Sequence, residues 1–254
     1  MSELENISFN HKKDISEPVI IDAKGSQCPG PIMTLKDHFK NALIGQKVII
    51  EATDPGFNSD IVAWCNVTEN TLSELISDNN GIIKATIIKN KELGSATIPE
   101  KKDELNLIIF SDEMDKCMAS FNIALGAIGM GMKVNIFFTF WGLSLLRKDN
   151  SHNSIFNNPA SSILPKDDSS LPLSHKNMFG LGRKMMERMM KEKNIPTIDF
   201  MVHLGKFEQI KYICCQMSME ILGLTKEDII DGVEFAGVAT MLENARKSNV
   251  NLFI

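Results

Sequence analysis

Apolar and polar positions fall into two alternating periods along the chain, and the switches between them outline its elements. Val19-Ile20-Ile21-Asp22 reads as a short strand. Ile32, Leu35, Phe39 and Leu43 recur at helical spacing and predict a helix. Lys47 to Thr53 is apolar and β-branched and predicts a second strand; Asp54-Pro55-Gly56 supplies turn chemistry. Phe57, Ile61, Trp64 and Thr68 lie on one helical stripe. Thr71 to Ile76 and Ile82 to Lys89 predict two strands, joined by Asn79-Asn80-Gly81, residues that tolerate positive φ. The order β-α-β-α-β-β over residues 18–90 suits a two-layer α/β sandwich.

Residues 91–104 are polar, rich in Lys and Glu, and read as a linker. A second unit, 105–254, opens on the apolar strand Leu105 to Phe110. Ser111 or Asp112 can cap the helix that follows. Val134 to Phe140 predicts a strand. Residues 149–175, rich in Ser, Asn, Pro and Asp, predict a mobile loop. Phe179 to Lys191 is a Met-rich helix, and Ile198 to Leu204 another. Lys211 to Cys214 predicts a strand, Met217 to Leu222 the start of a helix, Ala236 to Asn244 a helix, and Val250 to Ile254 a closing strand. Alternating strands and helices imply a three-layer α/β/α arrangement with a mostly parallel sheet.

The 254 residues suffice for two domains, and 43% apolar residues suffice for real cores. The net charge of −5 gives no broad electrostatic case for nucleic acid or an anionic membrane. The group Arg183, Lys184, Glu187, Arg188 reads as a solvated helix face. Residues 1–17 are polar, with no apolar signal core, and predict a flexible lead and a cytoplasmic location. The apolar stretch from Met118 to Leu146 is split by Lys133 and by glycines, so each half falls short of the roughly 20 residues a spanning helix needs. Five cysteines, at 28, 65, 117, 214 and 215, include no Cys-x-x-Cys pair. That argues against a disulfide framework and against structural zinc, and for free thiols. His203 has no partner at metal-ligand spacing, and His152 and His175 fall in the polar loop. No metal or cofactor is expected. Gly126, Gly129 and Gly131 lie within a helical pattern and not in a dinucleotide turn. Met185, Met186, Met189 and Met190 read as lining a core or an interface.

The sharpest chemistry lies in residues 22–36, from Asp22 through Gly25, Cys28, Pro29 and Pro31 to Leu35 and Lys36. Pro29 fits a first helical turn, where a missing N–H costs nothing. A helix N-terminus favours a thiolate or a persulfide. Cys28 is therefore expected to be exposed, with a lowered pKa, and to act alone as a group carrier. The plainer alternative is a small buried residue before a helix. Asp22 either tunes the site or organises the turn, and Lys36 either recruits an acidic partner or is simply solvated. Cys214-Cys215 ends an apolar strand and opens a helix, so Cys215 is a second candidate, with core packing of both thiols as the alternative. Cys65 and Cys117 read as core.

Residues 22–36, with Asp54-Pro55-Gly56-Phe57 and Asp60-Ile61-x-Ala63-Trp64-Cys65, resemble the TusA/SirA family of sulfur carriers, whose signature is Cys-Pro-x-Pro followed by Leu-Lys. The resemblance implies that Cys28 accepts sulfur as a persulfide and passes it on. Residues 105–254 resemble the DsrE/DsrF/DsrH-like sulfur-handling family, especially its branch fused to carrier domains, rhodaneses and CoA-disulfide reductase-like enzymes. The stretches that carry this are Ile109-Phe110-Ser111-Asp112-Glu113, Phe137-Phe138-Thr139-Phe140-Trp141-Gly142-Leu143, Cys215-x-Met217-Ser218-Met219 and Gly237-Val238-Ala239-Thr240. This resemblance maps a Cys-x-Met-Ser-Met motif onto Cys215 and implies a homo-oligomer; Cys214 stands where a small residue is expected. Together the two imply a persulfide relay between Cys28 and Cys215 or an external acceptor. The donor would be a rhodanese, a cysteine desulfurase or a CoA-disulfide reductase-like protein. The rival expectation is a non-catalytic oligomeric binding or regulatory module, or a redox sensor using Cys214 and Cys215.

Overall fold

The computed structural model describes residues 17–94, 102–148, 164–165, 170–174 and 181–254. Residues 1–16 of the lead, 95–101 of the linker, most of the loop 149–175, and Phe179 at the head of the Met-rich helix lie outside the described residues, as do His152 and His175.

The first unit follows the predicted order: β1 (Val19–Ala23), α1 (Gly30–Phe39), β2 (Lys47–Ala52), α2 (Phe57–Thr68), β3 (Thr71–Ser77) and β4 (Ile83–Ile88). Its sheet runs β1-β2-β4-β3, with β1 and β2 parallel and the other pairs antiparallel. Side chains alternate across a strand, so Val48, Ile50 and Ala52 share one face with Ala85 and Ile87. That face is covered by Leu35 and Phe39 of α1 and by Phe57, Ile61 and Trp64 of α2, each buried. Burying side chains of this size contributes about 1.5–3 kcal/mol apiece. Phe39 and Trp64 meet edge to face at 4.9 Å. Lys89 is fully buried; its Nζ donates to the carbonyls of Phe39 (3.2 Å) and Ala42 (2.9 Å) and pairs with Glu92, so a cation closes the C-terminal end of α1. In the β3–β4 turn only Gly81 takes positive φ; Asp78 Oδ1 does the closing, accepting the N–H groups of Asn80 and Ile82 at 2.8 Å.

The second unit comprises β5 (Lys102–Ile109), α3 (Met114–Gly129), β6 (Lys133–Phe138), a 3-10 turn (Phe140–Leu146), α4 (Leu181–Glu192), α5 (Ile198–Phe207), β7 (Lys211–Cys215), α6 (Gln216–Ile221), β8 (Glu234–Ala236), α7 (Val238–Lys247) and β9 (Ser248–Phe253). All five strands are parallel, in the order β8-β7-β6-β5-β9. One face carries the main core, including Phe121, Phe138, Met201, Tyr212 and Cys214. The other carries a smaller cluster of Phe137, Ile213, Cys215 and Ala236, with Met241 of α7 packed against it. The mixed α/β architecture and the parallel second sheet agree with the pattern in the sequence.

Three of the departures from the expected boundaries bear on packing. β5 starts at Lys102, inside the stretch read as linker, because Lys102 pairs with Ser248 of β9. The strand expected to reach Phe140 stops at Phe138. Phe140 takes φ +48, and the chain turns so tightly that a Cβ on Gly142 would lie 2.3 Å from the Ile109 carbonyl oxygen. The helix expected from Ala236 is divided: Glu234–Ala236 pair with β7, and the helix begins only after Gly237. In α4, Met190 is buried, Met186 packs against the core, and Met185 and Met189 are exposed. Arg183 departs from the solvated face expected of it: it is buried, paired with Glu187 at 2.7 Å and bonded to the Leu171 carbonyl. No helix among the described residues is long and apolar enough to cross a membrane.

Candidate functional site

The loop from β1 to α1 is held by short local bonds. Asp22 Oδ1 accepts the Lys24 N–H at 3.0 Å, and Lys24 Nζ reaches Glu51 at 2.7 Å. Asp22 is thus exposed and works in the turn. Gly25 sits at φ +80, which a side chain rarely adopts, and its N–H donates to Thr53 Oγ1 at 2.9 Å. Pro31 is buried in the first turn of α1, where it needs no N–H partner. Pro29 and Lys36 are exposed.

Cys28 ends this loop, and its surroundings are not those expected from the sequence. The thiol is 8% exposed, covered by the first turn of α7 from the second unit. Its Sγ accepts a hydrogen bond from the Val238 N–H at 3.4 Å and donates to Asp60 Oδ2 at 3.7 Å. Helical N–H support for the sulfur therefore comes from α7, not α1. Asp60 stands on α2, buried, and its Oδ1 accepts from Gly237 N (3.0 Å), Thr240 N (3.1 Å) and Thr240 Oγ1 (3.0 Å). Gly237 makes the approach possible, since a Cβ there would lie 2.1 Å from Asp60 Oδ2 and 2.9 Å from Cys28 Sγ. The contact continues through Ser59 Oγ to the Phe235 carbonyl (3.2 Å) and Asn66 Nδ2 to Glu243 Oε1 (3.1 Å).

Charge at this junction is negative. Asp54 is buried, accepting the Gly56 N–H at 2.9 Å and the backbone N–H of Cys28. Burial pushes Asp54 and Asp60 above the usual carboxylate range, against the pull of the N–H groups they accept. Burial, reinforced by the charges of Asp60, Asp54 and Cys215, pushes the Cys28 thiol up to about 12; only the Val238 N–H opposes. The expected exposed thiolate is thus corrected: in this docked arrangement Cys28 is a neutral, dehydrated thiol.

Cys214 and Cys215 part company. Cys214 is fully buried in the main core, where dehydration raises its pKa. Cys215, 5% exposed, lies on the opposite face with Ile213 and its strand partner Ala236, the face that Met241 of α7 packs against. The residue after it, Gln216, is buried against Gly56 of the first unit; its Nε2 donates to Glu220 at 3.1 Å, while its buried Oε1 has no hydrogen-bond partner among the described residues. Cys65 and Cys117 are buried in the two cores. The structure therefore sets both Cys28 and the sheet face that carries Cys215 against α7, and leaves Cys214, Asp22 and Lys36 out of that contact. Reading for reactive groups missed Asp60, Gly237, Val238 and Thr240. The signal available was a carboxylate beside the apolar stripe of α2, and a glycine interrupting a helical pattern.

Similarity to known proteins follows the same division. A profile of the DsrE/DsrF/DrsH-like family matches residues 101–253, and a profile of sulfurtransferase TusA matches residues 19–89. The uncharacterized protein YrkE of Bacillus subtilis is 33% identical over 158 residues, which is 61% of this chain and 99% of YrkE. The sulfur carrier protein DsrE2 of Allochromatium vinosum is 32% identical over 158 residues, 61% of this chain and 99% of that protein. The sulfur carrier protein TusA of Pseudomonas putida is 40% identical over 53 residues, 21% of this chain and 66% of TusA. The chain belongs to the DsrE/DsrF/DrsH-like family and carries a TusA domain ahead of its DsrE-like domain.

Proposed function

We propose that this chain relays sulfur, holding it as a persulfide on Cys28 and exchanging it with Cys215 or with a thiol on a partner. The observation that carries the reading is the shared junction: Cys28 Sγ meets Gly237 and Val238, and the residue before them, Ala236, is the strand partner of Cys215. The kinship with sulfur carriers named TusA and DsrE2 supports a role in sulfur relay.

In the forward step the Cys215 thiolate attacks the outer sulfur of Cys28–S–SH. The bond between Cys28 Sγ and that sulfur breaks, Cys215 becomes the persulfide, and Cys28 leaves as a thiolate. No net oxidation occurs. The surroundings that favour a neutral Cys28 then favour its protonation and so the product side. Loading from an external donor needs the thiol uncovered. The donor class is a persulfide-bearing protein such as a rhodanese, a cysteine desulfurase or a CoA-disulfide reductase-like enzyme. The free cysteines suit a reducing compartment such as the cytoplasm. Exposed Leu181, Met185 and Met189 offer apolar surface for a homo-oligomer. A redox sensor built on Cys214 and Cys215 is disfavoured, because the two thiols lie on opposite faces of the sheet.

The test is the intact mass of the reduced chain after incubation with a persulfide donor. An adduct of about 32 Da, one sulfur atom on a thiolate, is expected on wild type and absent from Cys28→Ser. Loss of onward transfer in Cys215→Ser identifies the second thiol. An adduct that does not need Cys28, or none with any donor, overturns the relay and leaves a binding module.

A further inference from the structure

α7 lacks a capping side chain of its own. Its N-cap is Gly237, which has none to give, and the first turn of any helix leaves N–H groups without partners. Those groups are satisfied from the other unit: one oxygen of Asp60 accepts Gly237 N, Thr240 N and Thr240 Oγ1 at 3.0–3.1 Å. The second oxygen faces Cys28 Sγ. Asp60 is 2% exposed, so this carboxylate has given up water for contacts that exist only when the two units are docked. Two further polar links, Ser59 to Phe235 and Asn66 to Glu243, flank it on the same helix.

We infer that Asp60 is a positioning residue that clamps the carrier unit onto the DsrE-like unit: it caps α7 across the interface, and so decides whether Cys28 is held beside Cys215 or released to a partner. The consequence for the reaction rests on the relay reading; the clamp itself does not. Closed, the clamp covers the thiol and turns it toward the internal acceptor. Open, it frees the same sulfur for an external donor or acceptor. Gly237 is the steric condition for closure, because any Cβ would collide with both Asp60 and Cys28.

The experiment is iodoacetamide labelling of the full-length chain at neutral pH, read cysteine by cysteine by peptide mass. Asp60→Ala removes the cap and should speed labelling of Cys28 by about tenfold. Asp60→Asn retains a side chain that caps as well as aspartate and should hold the rate within about twofold of wild type. Cys65 and Cys117 in the two cores should stay unlabelled in both variants. Their labelling in Asp60→Ala would mean an unfolded chain. In that event Gly237→Ala decides, because it leaves Asp60 in place and should also speed Cys28. Wild-type labelling of Cys28 in Asp60→Ala, or in Gly237→Ala where that variant decides, overturns the clamp; so does an Asp60→Asn as fast as Asp60→Ala. The sulfur adduct is measured separately, so failure of the relay leaves this contrast in labelling intact, and failure of the contrast leaves the adduct intact.

Discussion

Cys214 and Cys215 are neighbours in the chain but face opposite sides of the second sheet, one in the main core and the other toward α7 and the first unit. Successive side chains of a strand must diverge in this way. Substitutions at the two positions should therefore separate stability from chemistry. Cys214→Ser puts a hydroxyl into a fully buried apolar site and should cost about 1–3 kcal/mol in urea denaturation, with onward sulfur transfer retained in the folded fraction. Cys215→Ser should abolish that transfer. Equal losses of transfer at both positions would contradict the assignment.

Asp54 sets a pH dependence whose sign is fixed by its burial. Its folded value lies above the ordinary 3.8, so its contribution to stability is fully present below its unfolded value and is lost as pH rises through the folded one. Asp54→Asn removes the cost of the buried charge. The urea midpoint of the variant relative to wild type should rise from mild acid to neutral pH. A difference that is flat with pH, or that falls, would refute this.

Lys89 holds the end of α1 with a buried ammonium on two carbonyls. Lys89→Ala leaves those carbonyls unpaired and opens a cavity, and should destabilise the first unit by about 2–4 kcal/mol. Lys89→Met restores most of the volume but no donor, so it should recover only part of the loss. Chemical denaturation followed by the fluorescence of Trp64, which packs on Phe39, reads both.

Gly142 lies against the carbonyl oxygen of Ile109, backbone that cannot step aside cheaply. Gly142→Ala should destabilise the second unit by about 1–3 kcal/mol, as overpacked sites do. A thermal midpoint unchanged from wild type would show that the turn relaxes freely.

Periodicity made the elements of both units legible, because Val48, Ile50 and Ala52 alternate as a half-buried strand must, and Phe57, Ile61 and Trp64 recur as a helix must. Local chemistry made Cys28 legible as the candidate thiol. Its burial and the raised pKa that burial causes were not legible, because the cover comes from the docked start of α7, where Val238 lies 210 residues away in sequence. Asp60 was visible only as part of a motif, since a carboxylate on a helix gives no sign of which distant N–H groups it will accept. β8 escaped because three residues are too few to show an alternation; its pairing with Ile213, Cys214 and Cys215 makes it a strand.

Closure of α7 over Cys28 also bears on how the chain survives oxidants. Peroxide attacks thiolates that it can reach, and carries them through sulfenic acid to forms that cannot be reduced again. A thiol whose pKa burial pushes up to about 12 holds far less thiolate at neutral pH than an unperturbed one, and here it is also covered. Docking thus shelters the Cys28 thiol, and under the relay reading it confines the vulnerability of that sulfur to the open state of the clamp.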